Sequence, residues 1–386
     1  MFEKSINFLL ENAGTIIKYR LHKEFLHDLS EVNEKRLLKE VYKTPHFQLL
    51  KTYIKTNGYI GIGMHSWDKF KETPLQDGET AVRLLTYYGI PKTNPIIVNF
   101  IKALRDDKIL QKEFSYYKPE IARFDDRFLG LHNGSSLMVL IYTMQALLGY
   151  GDDYDDVKEF QNISLNVFKS VLNYSSFSEI TKFNKKLKKK YNYPYIEVET
   201  YFPCSYHLST LAYTSNWRTK KNISVMVDAI NHLGKIINKE YNMHVKIRNN
   251  YYCPLWALTR PLEAFSLKLL PNNYAMYRRV LTEIAMLGVG DKVSVIKDSI
   301  DSVKEALSKD GIIHVKFNSS YQKQRYLKML EYTTAYSEIG LEENYKKETA
   351  LECDLTFWAV QFLRYAENIY NKTTKAKYNR NINKND

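Results

Sequence analysis

Val293, Ile296, Ile300, Val303 and Leu307 step along the chain by three and four residues in alternation. Ile223, Val227, Ile230, Leu233 and Ile237 keep a similar rhythm, as do Val157, Phe160, Ser164, Val167 and Val171. At about 3.6 residues per turn, such spacing draws one apolar stripe along each helix. A chain built this way must pack helix against helix to hide its stripes. Strand-like alternation is rare, and His314-Val315-Lys316-Phe317 is the one fair candidate. With 15 Gly and 10 Pro in 386 residues, turns are sparse and long helices are expected.

The helices recur as a unit. Ala81-Val82-Arg83-Leu84-Leu85-Thr86-Tyr87-Tyr88-Gly89 is followed by a short linker and then by Asn94-Pro95-Ile96-Ile97. Residues 142–149 lead through a cluster of aspartates to Val157, and residues 281–288 lead through Gly290-Asp291 to Val293. A looser copy runs from Leu208 to Tyr213, through Asn216, to a helix from Asn222. Each copy reads as an apolar helix, a turn, a polar cap and a second amphipathic helix. The period of about 60 to 75 residues suggests a closed or curved array of helix pairs.

A second element also repeats. Leu50-Lys51-Thr52-Tyr53-Ile54 runs into Asn57-Gly58 and then apolar Tyr59-Ile60. Val303-Lys304-Glu305-Ala306-Leu307 runs into Asp310-Gly311 and then Ile312-Ile313. With these motifs the chain resembles the α/α-toroid superfamily, which includes squalene–hopene cyclases and protein prenyltransferases. Asp354-Leu355-Thr356-Phe357-Trp358-Ala359-Val360-Gln361-Phe362-Leu363 looks like a last inner helix. Phe8-Leu9-Leu10-Glu11 with Ile17-Lys18-Tyr19-Arg20 looks like the first helical pair of bacterial cyclase-like proteins. The aromatic of the family's D-G-x-W turn is replaced here by Ile or Tyr, and the cyclase repeat's Gln is missing. The resemblance implies an all-α fold: a single α/α toroid of paired inner and outer helices with a central cavity, over residues 1–370. Residues 371–386 are expected to form a basic, disordered tail.

The net charge of +13 is unevenly placed. The run Lys185, Lys186, Leu187, Lys188, Lys189, Lys190 carries five positives, and residues 371–386 carry five basic residues and one acid. Without both segments the net charge is +4. The run at 185–190 reads either as a solvated face or as a contact for a polyanion. No helix-turn-helix, zinc-finger or RNP pattern accompanies it, so no specific nucleic-acid recognition is expected. Three cysteines, Cys204, Cys253 and Cys353, are too few and too far apart for a disulfide framework. The N-terminal residues lack a signal-peptide pattern, and the nearly uncharged stretch at 131–151 is too short and too polar to span a bilayer. A cytoplasmic protein without a transmembrane segment is therefore expected. The 31 tyrosines, 18 phenylalanines and 4 tryptophans either line an apolar cavity with polar tips or reflect AT-rich codon usage.

The aspartates of Gly151-Asp152-Asp153-Tyr154-Asp155-Asp156-Val157 invite two sharper readings. Asp152, Asp153 and Asp156 spell DDxxD, a magnesium–diphosphate motif, and Asp153, Asp155 and Asp156 spell DxDD, a proton-donor motif. A companion metal motif at Asp298 and Ser302 fails, because its third position is Ala306. Four crowded aspartates repel one another and favour water over burial. The equivalent places in the other repeats hold Asn94-Pro95 and Asp291, ordinary helix N-caps, so the cluster is read as a cap.

No GxSxG, Walker A, HExxH or paired CxxC occurs, so neither a cofactor nor a metal is expected. On the family resemblance the central cavity takes an isoprenoid-like small-molecule or lipid-like substrate. Glu79, His65, His207 and Asp354 are the expected acids or bases. Trp67, Arg83, Tyr206, Trp217 and Arg218 are the expected substrate contacts, the aromatic faces being suited to carbocations. Four of them have a plainer role: Glu79 and Arg83 as an i,i+4 pair, His207 as a hydrogen-bonded core histidine, Asp354 as an N-cap. Two other function classes stay open: a polysaccharide lyase or hydrolase acting on an acidic glycan, and a non-catalytic binding or scaffold protein.

Overall fold

The computed structural model describes residues 2–64, 77–114, 135–183, 194–197, 200–237, 244–247, 249–252, 258, 262–272, 277–331 and 338–367. Among them are fifteen α-helices: α1 (Phe2–Asn12), α2 (Thr15–Leu21), α3 (Glu31–Val41), α4 (Pro45–Thr52), α5 (Gly78–Tyr87), α6 (Pro95–Leu104), α7 (Asp107–Glu113), α8 (Ser135–Leu147), α9 (Asp155–Ser170), α10 (Ser205–Ala212), α11 (Lys220–Ile236), α12 (Tyr277–Met286), α13 (Ser294–Leu307), α14 (Ser320–Glu331) and α15 (Ala350–Ala366). A π turn at His22–Leu26 continues α2. The fold is mostly helical, as the apolar stripes require. All five residues of the 293–307 stripe are buried, with exposures of 6% or less, so α13 packs by the predicted face.

Helices with wide apolar faces pack in sequence: α5 on α8, α8 on α10, α10 on α12, and α12 on α15. A second set lies against them. α9 contacts α10 and α11, α11 contacts α13, and α13 contacts α12 and α15. The N-terminal α1 packs on both α15 and α2. Arg20 and Tyr19 of α2 in turn bond the carbonyls of Tyr87 and Gly89 at the end of α5, at 2.9 and 3.2 Å. The buried apolar residues form two clusters, and α8 and α15 contribute to both.

Both repeated motifs have structural counterparts. Gly89, Gly149 and Gly288 end the first helix of their units with φ of 70°, 82° and 79°. In the second motif, Asn57 and Asp310 each accept the amide two residues on, at 3.0 Å, which is an Asx turn. Gly58 and Gly311 follow with φ of 84° each, a region open to glycine. Both also make close approaches: a Cβ would lie 2.8 Å from the Asn99 carbonyl oxygen at Gly58, and 2.8 Å from Lys4 Cβ at Gly311. The two turns thus dock onto α6 and α1, and Ser5 Oγ donates to the Gly311 carbonyl at 2.7 Å.

Several expectations need correction. His314–Phe317 is not a strand. It alternates because Val315 and Phe317 pack on the core, while His314 faces outward between Asp310 and Glu352. The sheet is instead β1 (Tyr195–Glu197), β2 (His244–Ile247) and β3 (Asn250–Tyr252), with β1 parallel to β2 and β2 antiparallel to β3. Strands of three or four residues are too short for alternation to be read. Of the expected caps, Asn94 does accept the Ile96 amide. Asp291 does not cap α13; Asn231 of α11 accepts the Ser294 amide at 3.0 Å instead. Thr219, not Asn216, caps α11.

The aspartate cluster supplies no side-chain cap, because the cap position of α9 is Tyr154 and makes no such bond, but Asp155 and Asp156 do form the acidic first turn of α9, where they complement the helix dipole. Asp152 reaches across to the next turn, accepting from the Ser215 amide and hydroxyl and from the Asn216 amide at 2.6–3.0 Å. Asp153, Asp155 and Asp156 pair with Lys92, Lys158 and Arg105. Burial works against the charge of Asp152, but the bonds from Ser215, Asn216 and Gln161 outweigh it and hold its pKa below the ordinary value. That direction is opposite to the one a buried proton donor needs.

No helix among the described residues is long and apolar enough to cross a membrane. The run at 185–190 and residues 371–386 lie outside the described residues.

Candidate functional site

Apolar helices are expected to keep charge off their packed faces, and α12 and α15 break that rule. The sequence Tyr277-Arg278-Arg279-Val280-Leu281-Thr282-Glu283 has Arg278 and Arg279 both buried, with Glu283 one turn beyond Arg279. Asp354 lies in the second turn of α15 and is 2% exposed. The expected N-cap role for Asp354 is therefore wrong: α15 begins four residues earlier, at Ala350.

These side chains line a cavity of about 220 Å³. α12 contributes Arg278, Arg279, Thr282, Glu283 and Met286; α15 contributes Asp354, Phe357, Trp358, Gln361 and Tyr365. Arg20 and Glu24 come from α2 and its π turn, Thr86 and Tyr87 from the end of α5, and Tyr213 from the end of α10. Glu338, Ile339 and Leu341 come from the segment before α15. Three guanidinium and four carboxylate groups thus meet five aromatic rings in one cavity.

The charges are held against one another. Arg278 Nη1 and Nη2 each lie 3.3 Å from Asp354 Oδ2, and the Leu341 amide donates to Oδ1 at 2.9 Å. The Arg278 amide donates to Glu338 Oε1 at 2.9 Å, with Nε 3.5 Å from Oε2. Arg20 forks onto Glu24 at 2.6 and 3.0 Å and stacks over Phe357 at 4.9 Å. Trp358 Nε1 donates to Thr282 Oγ1 at 2.9 Å, fixing its ring beside Arg278. Burial raises the pKa of Asp354, Glu338 and Glu283 above ordinary carboxylate values, against the pull of Arg278 on the first two and of Arg279 and Arg83 on Glu283. For Arg278 itself burial opposes the charge, but Tyr326, Glu338 and Asp354 around it prevail and its pKa is raised. Carboxyl groups raised in this way can exchange protons at milder pH than free ones, while fixed guanidiniums can steady a developing negative charge.

Behind the α12 wall runs a second buried network. Glu283 accepts from Ser209 Oγ at 2.9 Å on both oxygens and lies 3.6 Å from Arg83 Nη1. Arg83 donates to Glu79 from Nε and Nη2 at 3.1 and 3.0 Å, as the i,i+4 spacing suggests. Tyr206 OH donates to Glu79 Oε2 at 3.1 Å. Glu79, Arg83 and Tyr206 thus connect to the cavity through Glu283 without lining it.

The other residues singled out from sequence lie elsewhere. His207 is fully buried between α9 and α10, its ring 5.9 Å from Phe160. Its Nδ1 accepts the Cys204 amide at 3.2 Å, and burial pushes its pKa down to about 3. Trp217 is a core residue whose indole donates to the Leu211 carbonyl. Arg218 donates to carbonyls at the end of α10. His65 and Trp67 lie outside the described residues. Arg20, Arg278, Arg279, Glu283 and Glu338 were missed, although the charged Arg279–Glu283 spacing in an apolar helix was a readable signal. Among the described residues, no group of three or more His, Cys, Asp or Glu is arranged to hold a metal ion. No family model, no curated protein and no solved structure matches the chain.

Proposed function

We propose that the protein is a closed α/α toroid whose central cavity binds a small, hydroxyl-rich ligand, with Asp354 and Glu338 as acid–base groups. The toroid reading is supported by the packing order α5–α8–α10–α12–α15, with α1 and α2 leading from α15 back to the end of α5. One observation carries the ligand class: the three guanidiniums and four carboxylates that line the cavity already engage one another, Arg20 with Glu24, Arg279 with Glu283, and Arg278 with both Glu338 and Asp354. An apolar chain there would strip water from these groups and return no hydrogen bonds. An anionic group inside would meet one carboxylate more than there are guanidiniums. Hydroxyl groups both donate and accept, so they suit carboxylates and guanidiniums alike. The faces of Trp358 and Tyr365 suit the C–H face of a sugar-like ring. The volume, about 220 Å³, is small against the roughly 300–1,000 Å³ of ordinary ligand pockets, and favours a single ring over a polymer.

An isoprenoid-like substrate is the second reading. Tyr87, Tyr213, Phe357, Trp358 and Tyr365 favour it, together with the raised pKa of Asp354, which a proton donor to an alkene requires. Fluorescence of Trp358, titrated with neutral hexoses, inositol and farnesol, separates the two. A saturable hexose or inositol response that disappears in Trp358→Phe supports the polar ligand. A response to farnesol alone transfers the cavity to the isoprenoid reading, and no response to any probe refutes both.

A further inference from the structure

Charge is unevenly divided among the acids of the central cavity. Glu24 faces two guanidiniums, Arg20 at 2.6 Å and Arg364 at 3.6 Å. Glu283 likewise faces Arg83 at 3.6 Å and Arg279 at 4.0 Å. Beside Asp354 and Glu338 the ratio is inverted. There the one guanidinium of Arg278 serves two carboxylates, Asp354 at 3.3 Å and Glu338 at 3.5 Å. Arg279 also acts on Glu338, more weakly than Arg278 does. Glu342, buried four residues after Glu338, feels the charge of Asp354 as well.

The geometry leaves one carboxylate oxygen open. The Arg278 amide donates to Glu338 Oε1 at 2.9 Å, but Glu338 Oε2 accepts no hydrogen bond among the described residues. Arg278 Nε, 3.5 Å away, has no hydrogen-bond partner either, so the two are linked by charge alone. Both Nη atoms of Arg278 are turned to Asp354 Oδ2 instead. Glu338 is 9% exposed and lines the cavity, and a buried carboxylate oxygen without a donor is costly. Burial raises the carboxyl groups of Glu338 and Asp354 against the pull of Arg278, and a second cation between them would lower both. Trp358, one turn after Asp354, lines the same cavity, and an aromatic face attracts a cation.

We propose that the ligand of the central cavity carries one ammonium group on its hydroxyl-rich body, held by Glu338 Oε2 and Asp354, which makes amino sugars and aminocyclitols its chemical class. The assignment rests on the hydroxyl-rich reading given above and narrows it. An ammonium brings both what Glu338 lacks, a donor, and what the pair of acids lacks, a second positive charge; a hydroxyl brings only the donor.

Calorimetric titration of the full chain with glucosamine, glucose, N-acetylglucosamine and propylamine tests it. Glucosamine should bind about tenfold or more tighter than glucose or N-acetylglucosamine, as when a charge-assisted bond replaces a neutral one. Glu338→Gln leaves Arg278 with one carboxylate, and should bring glucosamine and glucose to within about threefold of each other. Asp354→Asn should do the same, and serves in its place if circular dichroism shows Glu338→Gln misfolded. Equal binding of glucosamine and glucose by the parent overturns the ammonium site and leaves the hydroxyl-rich reading standing. A preference for glucosamine that outlasts these substitutions also overturns it, since the amine then sits elsewhere. Propylamine bound as tightly as glucosamine and lost in Glu338→Gln, with no response to glucose, keeps the ammonium site and refutes the hydroxyl-rich body. No response to any probe overturns both.

Discussion

Replacing Arg278 by Met tests the central charge cluster most directly. The substitution keeps an unbranched side chain and removes the guanidinium. Asp354 then loses two contacts at 3.3 Å, and Glu338 loses one at 3.5 Å, while the Arg278 amide still donates to Glu338. Two carboxylates remain in a site where Asp354 is 2% and Glu338 9% exposed. Breaking a buried pair by removing one partner costs about 3–5 kcal/mol. For 386 residues at about 2.1 cal/mol/K each, the entropy of unfolding is about 0.8 kcal/mol/K, so Tm should fall by about 4–6 °C.

The loss should depend on pH in a fixed direction. Both carboxyl groups already titrate above their unfolded values, and removing the cation raises them further. A group raised in the folded state favours folding below its unfolded pKa and loses that contribution as pH rises through its folded pKa. The deficit of Arg278→Met against the parent should therefore be greatest at neutral pH and shrink as pH falls toward the ordinary carboxylate range. Differential scanning at a series of pH values measures this. Adding Asp354→Asn to Arg278→Met should recover part of the loss, because one buried charge is then gone. A Tm change under 1 °C, or a deficit that grows on acidification, would refute the assigned pairing.

Glu342, raised to about 7 by burial and then by Asp354, should oppose folding as it ionises between pH 5 and 8. Glu342→Gln should thus exceed the parent's stability at pH 8 by about 1–3 kcal/mol and show no gain at pH 5, read by urea titration. Asp152→Ala should cost about 2–3 kcal/mol through the lost bonds to Ser215, Asn216 and Gln161. Millimolar magnesium should leave the parent's Tm unchanged; a rise that Asp152→Ala abolishes would restore the metal-motif reading. Gly151→Ala would place Cβ 2.3 Å from Thr214 Cγ2 and should cost about 1–3 kcal/mol. Adding Thr214→Ser removes that methyl and should return part of the lost Tm, the Ala146 Cα at 3.1 Å remaining close.

Local features were readable because their causes lie within a few residues. The stripes at 157–171, 223–237 and 293–307 became α9, α11 and α13 because a helix sorts its faces by spacing alone. Asn57-Gly58 and Asp310-Gly311 became matching turns because an Asx side chain bonds an amide two residues on. Glu79 met Arg83 because one helical turn joins them. Where the caps failed, the partner was remote: Asn231 caps α13 from α11, and Asp152 ties down the turn after α10.

The sequence by itself determined the helical class, the register of the packed faces and the repeated turns, since periodicity and backbone stereochemistry act locally. Only the tertiary structure decided which charged residues are buried together. Arg20, Arg278, Glu338 and Asp354 lie far apart in the chain, and no spacing rule joins them. Their pKa shifts, and hence any acid–base role, come from shared burial. Burial belongs to the packed assembly of helices, and a single helix does not carry it.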